Sequence, residues 1–192
     1  MLKTTTVLCV ALLLLAASPH AQSPASQTSR APAEPWYARS AKIQFQSARG
    51  PDAAFQIEWP RKDWMTLPGG GSLVLAFASK KGDAVVLVEQ VPLRQALEAD
   101  DITDLFGQLE ADAIKERHPR AAEFQSKVIE SGERRLVAVQ FTRPGVLGNE
   151  RVRQYSIPVG KQLYRLTCAS AAAQFAAYDP LFAHMAATFS PG

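Results

Sequence analysis

The chain has 192 residues, 47% of them hydrophobic, and sets 21 Lys and Arg against 18 Asp and Glu for a formal charge of +3. So slight a bias, diluted among acids, excludes the concentrated basic stripe that nucleic acid requires, so no nucleic-acid partner is expected. The length suits one ordinary domain that buries most of its apolar side chains without covalent staples.

The first residues, MLKTTTVLCVALLLLAASPHAQSPAS, describe a secretory signal peptide: Lys3 supplies the positive start, and Val7 to Ala17 is an apolar run too short to span a bilayer. Cleavage fits after Ala21, giving a leader over 1–21, and fits as late as Ala25. Cys9 lies inside the apolar run and leaves with it. The mature chain then keeps a single cysteine, Cys168, with no partner for an internal disulfide. Loss of Lys3 takes the formal charge from +3 to +2. Residues 22–40, rich in Ser, Pro and Ala, read as a flexible tether whose aromatic pair, Trp36 and Tyr37, is a candidate for docking onto the domain that follows. That domain is expected over 41–192.

Its first elements alternate apolar and polar residues. Ile43 and Phe45, then Phe55, Ile57 and Trp59, mark two strands around the turn residues Arg49 to Asp52, a hairpin. The stretch PRKDWMTLPGGG is expected to break the ladder at Pro60, Pro68 and its glycines. SLVLAFAS and DAVVLVEQVPL form a second hairpin around Lys80 to Asp83. In DDITDLFGQLEADAIKERHP, Ile102, Leu105, Phe106, Leu109, Ala113 and Ile114 recur at helical spacing. Asp100 or Asp101 is the expected cap and Pro119 the stop, and Lys115, Arg117 and His118 fill the last turn as the helix dipole favours.

Strand signals return from Phe124. FQSKVIE, RRLVAVQFTR, ERVRQYSIPV and QLYRLTCA, separated by turn residues, make an antiparallel meander. SAAAQFAAYDPLFAHMAATF predicts a helix broken at Asp179-Pro180. The order ββββ-α-ββββ-α, with helices following blocks of strands, indicates an α+β fold: an antiparallel sheet of about eight strands layered with two helices.

The early FQIEWPRKDW and the closing SIPVGKQLYRLTCAS with YDPLFAHMAATF resemble the PsbP-like α/β/α sandwich family, which takes in PsbP, LpqN-type and DcrB-type exported proteins. The resemblance runs over about residues 40 to 190. It implies that fold, and a non-enzymatic accessory or binding module, often at a membrane surface or within a larger assembly. No local pattern carries over a metal ligand or a photosystem contact.

Candidate chemistry is sparse. Cys168 needs a base, and neither His118 nor His184 has a context that marks it as one. Alternation aligns Cys168 with Tyr164 and Leu166, so a structural, buried role is expected, as for Trp59 and Trp64. No metal or cofactor is expected, since no paired-Cys or His-x-x-x-His spacing occurs and the acids near 100–104 lack a calcium loop. PGGGS leads into a strand rather than a helix, so it is a turn and not a phosphate loop. The arginines stand out: Arg134, Arg135, Arg143, Arg151 and Arg153 gather around the second and third meander strands. They are either solvated strand ends or a partner-contact patch, with Arg143 and Arg151 approaching each other near the hairpin end.

These readings predict an exported, soluble, non-catalytic binding or assembly-accessory module of the cell envelope, periplasmic or secreted. Its partner is an unknown envelope protein or assembly, without a transmembrane segment in the mature chain and with room for a peripheral membrane contact. The alternative is a small-ligand or metal-binding periplasmic protein that uses a cleft between sheet and helix.

Overall fold

A computed structural model describes residues 43–131 and 134–192. The expected leader over 1–21, the expected tether over 22–40 and the aromatic pair Trp36 and Tyr37 lie outside the described residues. The described chain is α+β, built on an antiparallel sheet with two helices. It has five strands, β1 (Phe45–Arg49), β2 (Phe55–Pro60), β3 (Trp64–Leu67), β4 (Leu73–Ser79) and β5 (Ala84–Pro92), before the helix α1 (Asp104–Arg117). Four strands follow, β6 (Ala122–Ser131), β7 (Arg134–Gly145), β8 (Gly148–Val159) and β9 (Gln162–Ala171), then α2 (Phe175–Thr188) and a short β10 (Ser190–Pro191).

The strands divide into a seven-stranded sheet ordered β3-β4-β5-β9-β8-β7-β6 and a three-stranded sheet ordered β1-β2-β10. The single sheet expected from the sequence splits because β2 ends at Pro60 and takes β10 as its second neighbour, with Ser190 opposite Gln56. PRKDWMTLPGGG does contribute a strand: between its prolines, Trp64 to Leu67 pair with Ser79 to Ala76 as an edge of the large sheet. Proline is tolerated at strand ends and edges, and that is where Pro60 and Pro68 fall.

Residue parity places a core on each face of the large sheet. On one face, Val86 and Val88 of β5 and Leu166 and Cys168 of β9 pack against Phe182 and Met185 of α2 and Ile57 of β2. On the other, Val137, Val139 and Phe141 of β7 and Val152 of β8 pack against Ile114 of α1 and Ile102. The layers are therefore α1, the seven-stranded sheet, then α2 with the small sheet. β9 lies between β5 and β8, buried on both faces, which is why its sequence runs apolar and small beyond its alternation. At the β8–β9 turn Gly160 takes φ +56°, a left-handed backbone that suits the two-residue link between Val159 and Gln162.

Three helical expectations change. The buried stripe of α1 is Gly107, Glu110, Ala111 and Ile114, spaced three and four apart, while Leu105 and Leu109 are 63% and 58% exposed. A glutamate occupies the inner stripe because the sheet supplies it with partners, described below. The α1 cap is Thr103, whose hydroxyl accepts the Phe106 N–H, rather than Asp100 or Asp101. Asp101 instead accepts the Glu98 N–H in the preceding turn. Finally, α2 runs unbroken through Asp179-Pro180. Pro180 falls early in the helix, where a missing N–H frees a single carbonyl, and the Asp179 carboxylate serves β8 instead of capping.

Candidate functional site

A cleft of about 480 Å³ lies where the approach to β1, the β2–β3 turn and α2 converge. Ile43, Pro60, Trp64, Ala177 and Leu181 make its walls mostly apolar, and Gln44, Lys62, Asp63 and Tyr178 give it polar edges. Its shape follows from local bonding. The Arg61 N–H donates to the Gln44 carbonyl at 2.9 Å, and the Lys80 N–H donates to the Asp63 carbonyl at 2.9 Å, tying the turn to both sheets. Trp64, only 6% exposed, meets the Tyr178 ring edge-on with centroids 6.2 Å apart.

Tyr178 is fixed at its far end. Its hydroxyl donates to Asp83 Oδ1 at 2.7 Å, and Ser79 donates to the same oxygen at 2.7 Å. Burial and the hydrogen bond to Asp83 push the Tyr178 phenol up to about 12, so it remains a neutral donor. For Asp83, burial acts to raise the pKa, but the bonds from Tyr178 and Ser79 outweigh it and hold the carboxyl below its ordinary value. A carboxylate held this way is a weak base, and no histidine joins the group. The arrangement fixes the position of the Tyr178 ring in the cleft wall.

The five arginines singled out from the sequence are distributed rather than gathered. Arg134 donates to the Phe189 carbonyl at 2.5 Å, closing the end of α2. Arg135 lies near Asp100 and Glu130 at the surface. Arg143 pairs with Glu150, its cross-strand neighbour, at 3.0 Å, whereas Arg151 stands opposite Thr142 and reaches Glu123 at 3.5 Å. That register sends Arg143 and Arg151 to opposite faces of the sheet, so they do not approach each other. Arg153 pairs with Asp179 of α2, donates to Gln140 Oε1 at 2.6 Å, and lies over the Phe175 ring.

Three comparisons bear on the fold. No family model matches the chain, and no curated protein matches its sequence. Among solved structures, cyanobacterial PsbP (CyanoP) from Synechocystis sp. PCC 6803 is 13% identical, with a TM-score of 0.57 over 78% of this chain and 94% of that one. LpqN, involved in cell envelope biogenesis of Mycobacterium tuberculosis, is 12% identical with a TM-score of 0.53 over 80% and 94% of the two chains. A Bacteroides thetaiotaomicron protein is 12% identical with a TM-score of 0.56, and the match spans 78% of this chain and 49% of that one. The chain has a PsbP-like fold. At such identities the likeness extends to fold and not to activity.

Within this PsbP-like fold the remaining candidates have defined places. Cys168 is fully buried in β9, and burial pushes its thiol up, away from the thiolate form. Trp59 and Trp64 lie in the core beneath α2. His184 of α2 stands 2.9 Å from Glu58 of β2 and stacks on Phe45 of β1, joining helix to small sheet. His118 contacts Arg143 at 3.1 Å. Among the described residues no three His, Cys, Asp or Glu side chains cluster to hold a metal ion, and no helix is long and apolar enough to cross a membrane.

Sequence reading missed one group altogether. Glu110 of α1 enters the interface with the sheet and accepts from Arg165, Gln154 and Ser156. The available signal was the spacing of Gly107, Glu110, Ala111 and Ile114, a second stripe partly masked by the competing leucines.

Proposed function

We propose that this protein is an exported, non-catalytic binding or assembly-accessory module of the cell envelope that engages its partner through the cleft beside Trp64 and Tyr178. One observation carries the reading: the five arginines have partners within the domain, while Ile43, Pro60, Trp64, Ala177 and Leu181 wall an apolar concavity with the exposed Ala177 at its mouth. An apolar concavity edged by a few polar groups is the usual form of a binding site. The signal-peptide pattern at the start of the chain supports an envelope location. The shared fold with LpqN, a protein named for cell envelope biogenesis, supports an accessory role there.

The test is photocrosslinking in the producing cell from position 62 at the cleft rim, with position 161 in the β8–β9 turn as the control. A discrete adduct from position 62 that is absent from position 161 is expected. Identical patterns from both sites would sink the reading, as would substrate turnover by the purified protein that Y178F abolishes.

The size of the cleft favours a second reading. About 480 Å³ falls within the range of roughly 300–1,000 Å³ typical of small-molecule pockets, so an apolar ligand with one hydrogen-bonding group fits as occupant. Native mass spectrometry of gently purified protein distinguishes the two, since a bound small molecule adds a defined mass that a tryptophan-deleting W64A variant lacks.

A further inference from the structure

A separate feature lies on the α1 side of the sheet, where α1 ends beside the β7–β8 hairpin. We infer that the notch lined there by Arg117, His118, Arg120 and Arg143 binds a phosphate group.

The notch is built rigidly. The His118 N–H donates to the Ile114 carbonyl at 2.8 Å to end the helix, and the Ala121 N–H donates to the His118 carbonyl at 2.8 Å to turn the chain. Pro119 and Pro144 complete its walls. Arg143 is held from behind: its Nε donates to Oε2 of Glu150, which is 2% exposed, while Oε1 of Glu150 accepts the Leu147 N–H at 3.1 Å. A guanidinium has five N–H donors. Glu150 takes one and His118 Nε2, 3.1 Å from Nη1, takes another, so three remain. Because arginine only donates, Nε2 is the acceptor and the imidazole proton resides on Nδ1.

The local field is positive even with Glu150 in place. Burial first, and then Arg143 and Arg117, hold the His118 pKa below its ordinary value, outweighing Glu150 and Glu89. The C-terminal end of a helix by itself repels anions. Here the charge of Arg117, whose Nε donates to the Ala113 carbonyl at 3.1 Å, lies at that end of the helix and opposes the dipole. The notch measures about 170 Å³, too small for a drug-sized ligand at roughly 300 Å³ or more yet suited to one tetrahedral anion. Planar guanidinium forks match phosphate oxygens in geometry as well as charge.

The test follows the His118 ring resonances of the full mature chain during titration with inorganic phosphate, against sodium chloride at matched ionic strength. A saturable shift specific to phosphate is expected, weakened about tenfold in R120Q by loss of one charge-assisted contact. Arg120 and Arg117 are exposed, so R120Q and R117Q should keep the wild-type melting temperature. R143Q strands Glu150 and is therefore not the deciding variant. Sedimentation with phosphatidylglycerol vesicles forms a second arm, with phosphatidylcholine vesicles as reference. Binding that R120Q removes makes a lipid headgroup the source of the phosphate, whereas phosphate binding without vesicle binding makes it a soluble ester. A His118 response to phosphate no larger than that to chloride overturns the inference. The cleft experiment is unaffected by either result, because position 62 lies on the other side of the sheet.

Discussion

Arg165 of β9 places Nη2 2.8 Å from Glu110 Oε1 and Nε 3.1 Å from Glu110 Oε2, a bidentate ion pair that joins α1 to the middle of the sheet. Ser156 and Gln154 add bonds of 2.7 and 3.2 Å to Oε2, so the carboxylate has four donors while only 7% exposed. Removing one member of such a pair leaves a charge with little solvent and no partner. E110A is therefore expected to destabilise the protein by roughly 3–5 kcal/mol, read as a lowered urea midpoint. E110L combined with R165M should recover part of that loss, because an apolar pair of similar volume has no charge to desolvate, the remainder reflecting the buried Ser156 and Gln154 left without their acceptor. Equal losses in the single and double variants would rule out the ion pair as the cause.

Cys168 is fully buried beneath α2. A thiol reagent should modify it in the native protein only at the rate of unfolding, and quickly in urea. C168A removes one buried sulfur atom and is expected to cost about 1 kcal/mol. Rapid labelling under native conditions would contradict the buried assignment and reopen thiol chemistry.

Much of the fold is legible in the sequence where one periodicity dominates. Phe55, Ile57 and Trp59 all become buried positions of β2, and the alternation of Tyr164, Leu166 and Cys168 correctly names the face of β9 that meets α2. The α1 stripe is not legible, since its polar member, Glu110, is buried by partners 44 to 55 residues away along the chain. Equally hidden is β3, whose four residues carry too short a pattern to outweigh the prolines around them. The arginines show the same limit: a cluster in sequence says nothing of Asp179, which lies 26 residues from Arg153 and engages it. The cleft arises from segments around residues 43, 62 and 178, and no local pattern announces that meeting.

Thr103 caps α1 through a hydroxyl 3.4 Å from the Phe106 nitrogen, a long bond. T103A should cost about 0.5–1 kcal/mol, the lower part of the range for such caps. D101A should leave α1 itself largely unchanged, because Asp101 bonds within the preceding turn. Hydrogen exchange at Phe106 distinguishes the two: T103A should accelerate it, and a stronger effect from D101A would return the cap to the aspartate.

The bond between Tyr178 and Asp83 gives stability two pH limits. Folding lowers the Asp83 pKa below its ordinary 3.8, so the unfolded chain binds this proton more tightly. The carboxylate's contribution is therefore complete above pH 3.8 and is lost as pH falls through the lower folded value. Folding raises the Tyr178 pKa from 10.0 to about 12, so the contribution of the phenol is complete below pH 10 and is lost as pH rises towards about 12. Urea midpoints of wild type and Y178F should differ by a constant amount at neutral pH and converge between pH 10 and about 12. D83N should flatten the acid limb, and because it also strips the phenol of its charged acceptor, it should soften the alkaline limb as well. If D83N alters the acid limb and leaves the alkaline limb as in wild type, the two groups are not coupled, and the hydrogen bond does not fix Tyr178 at the cleft.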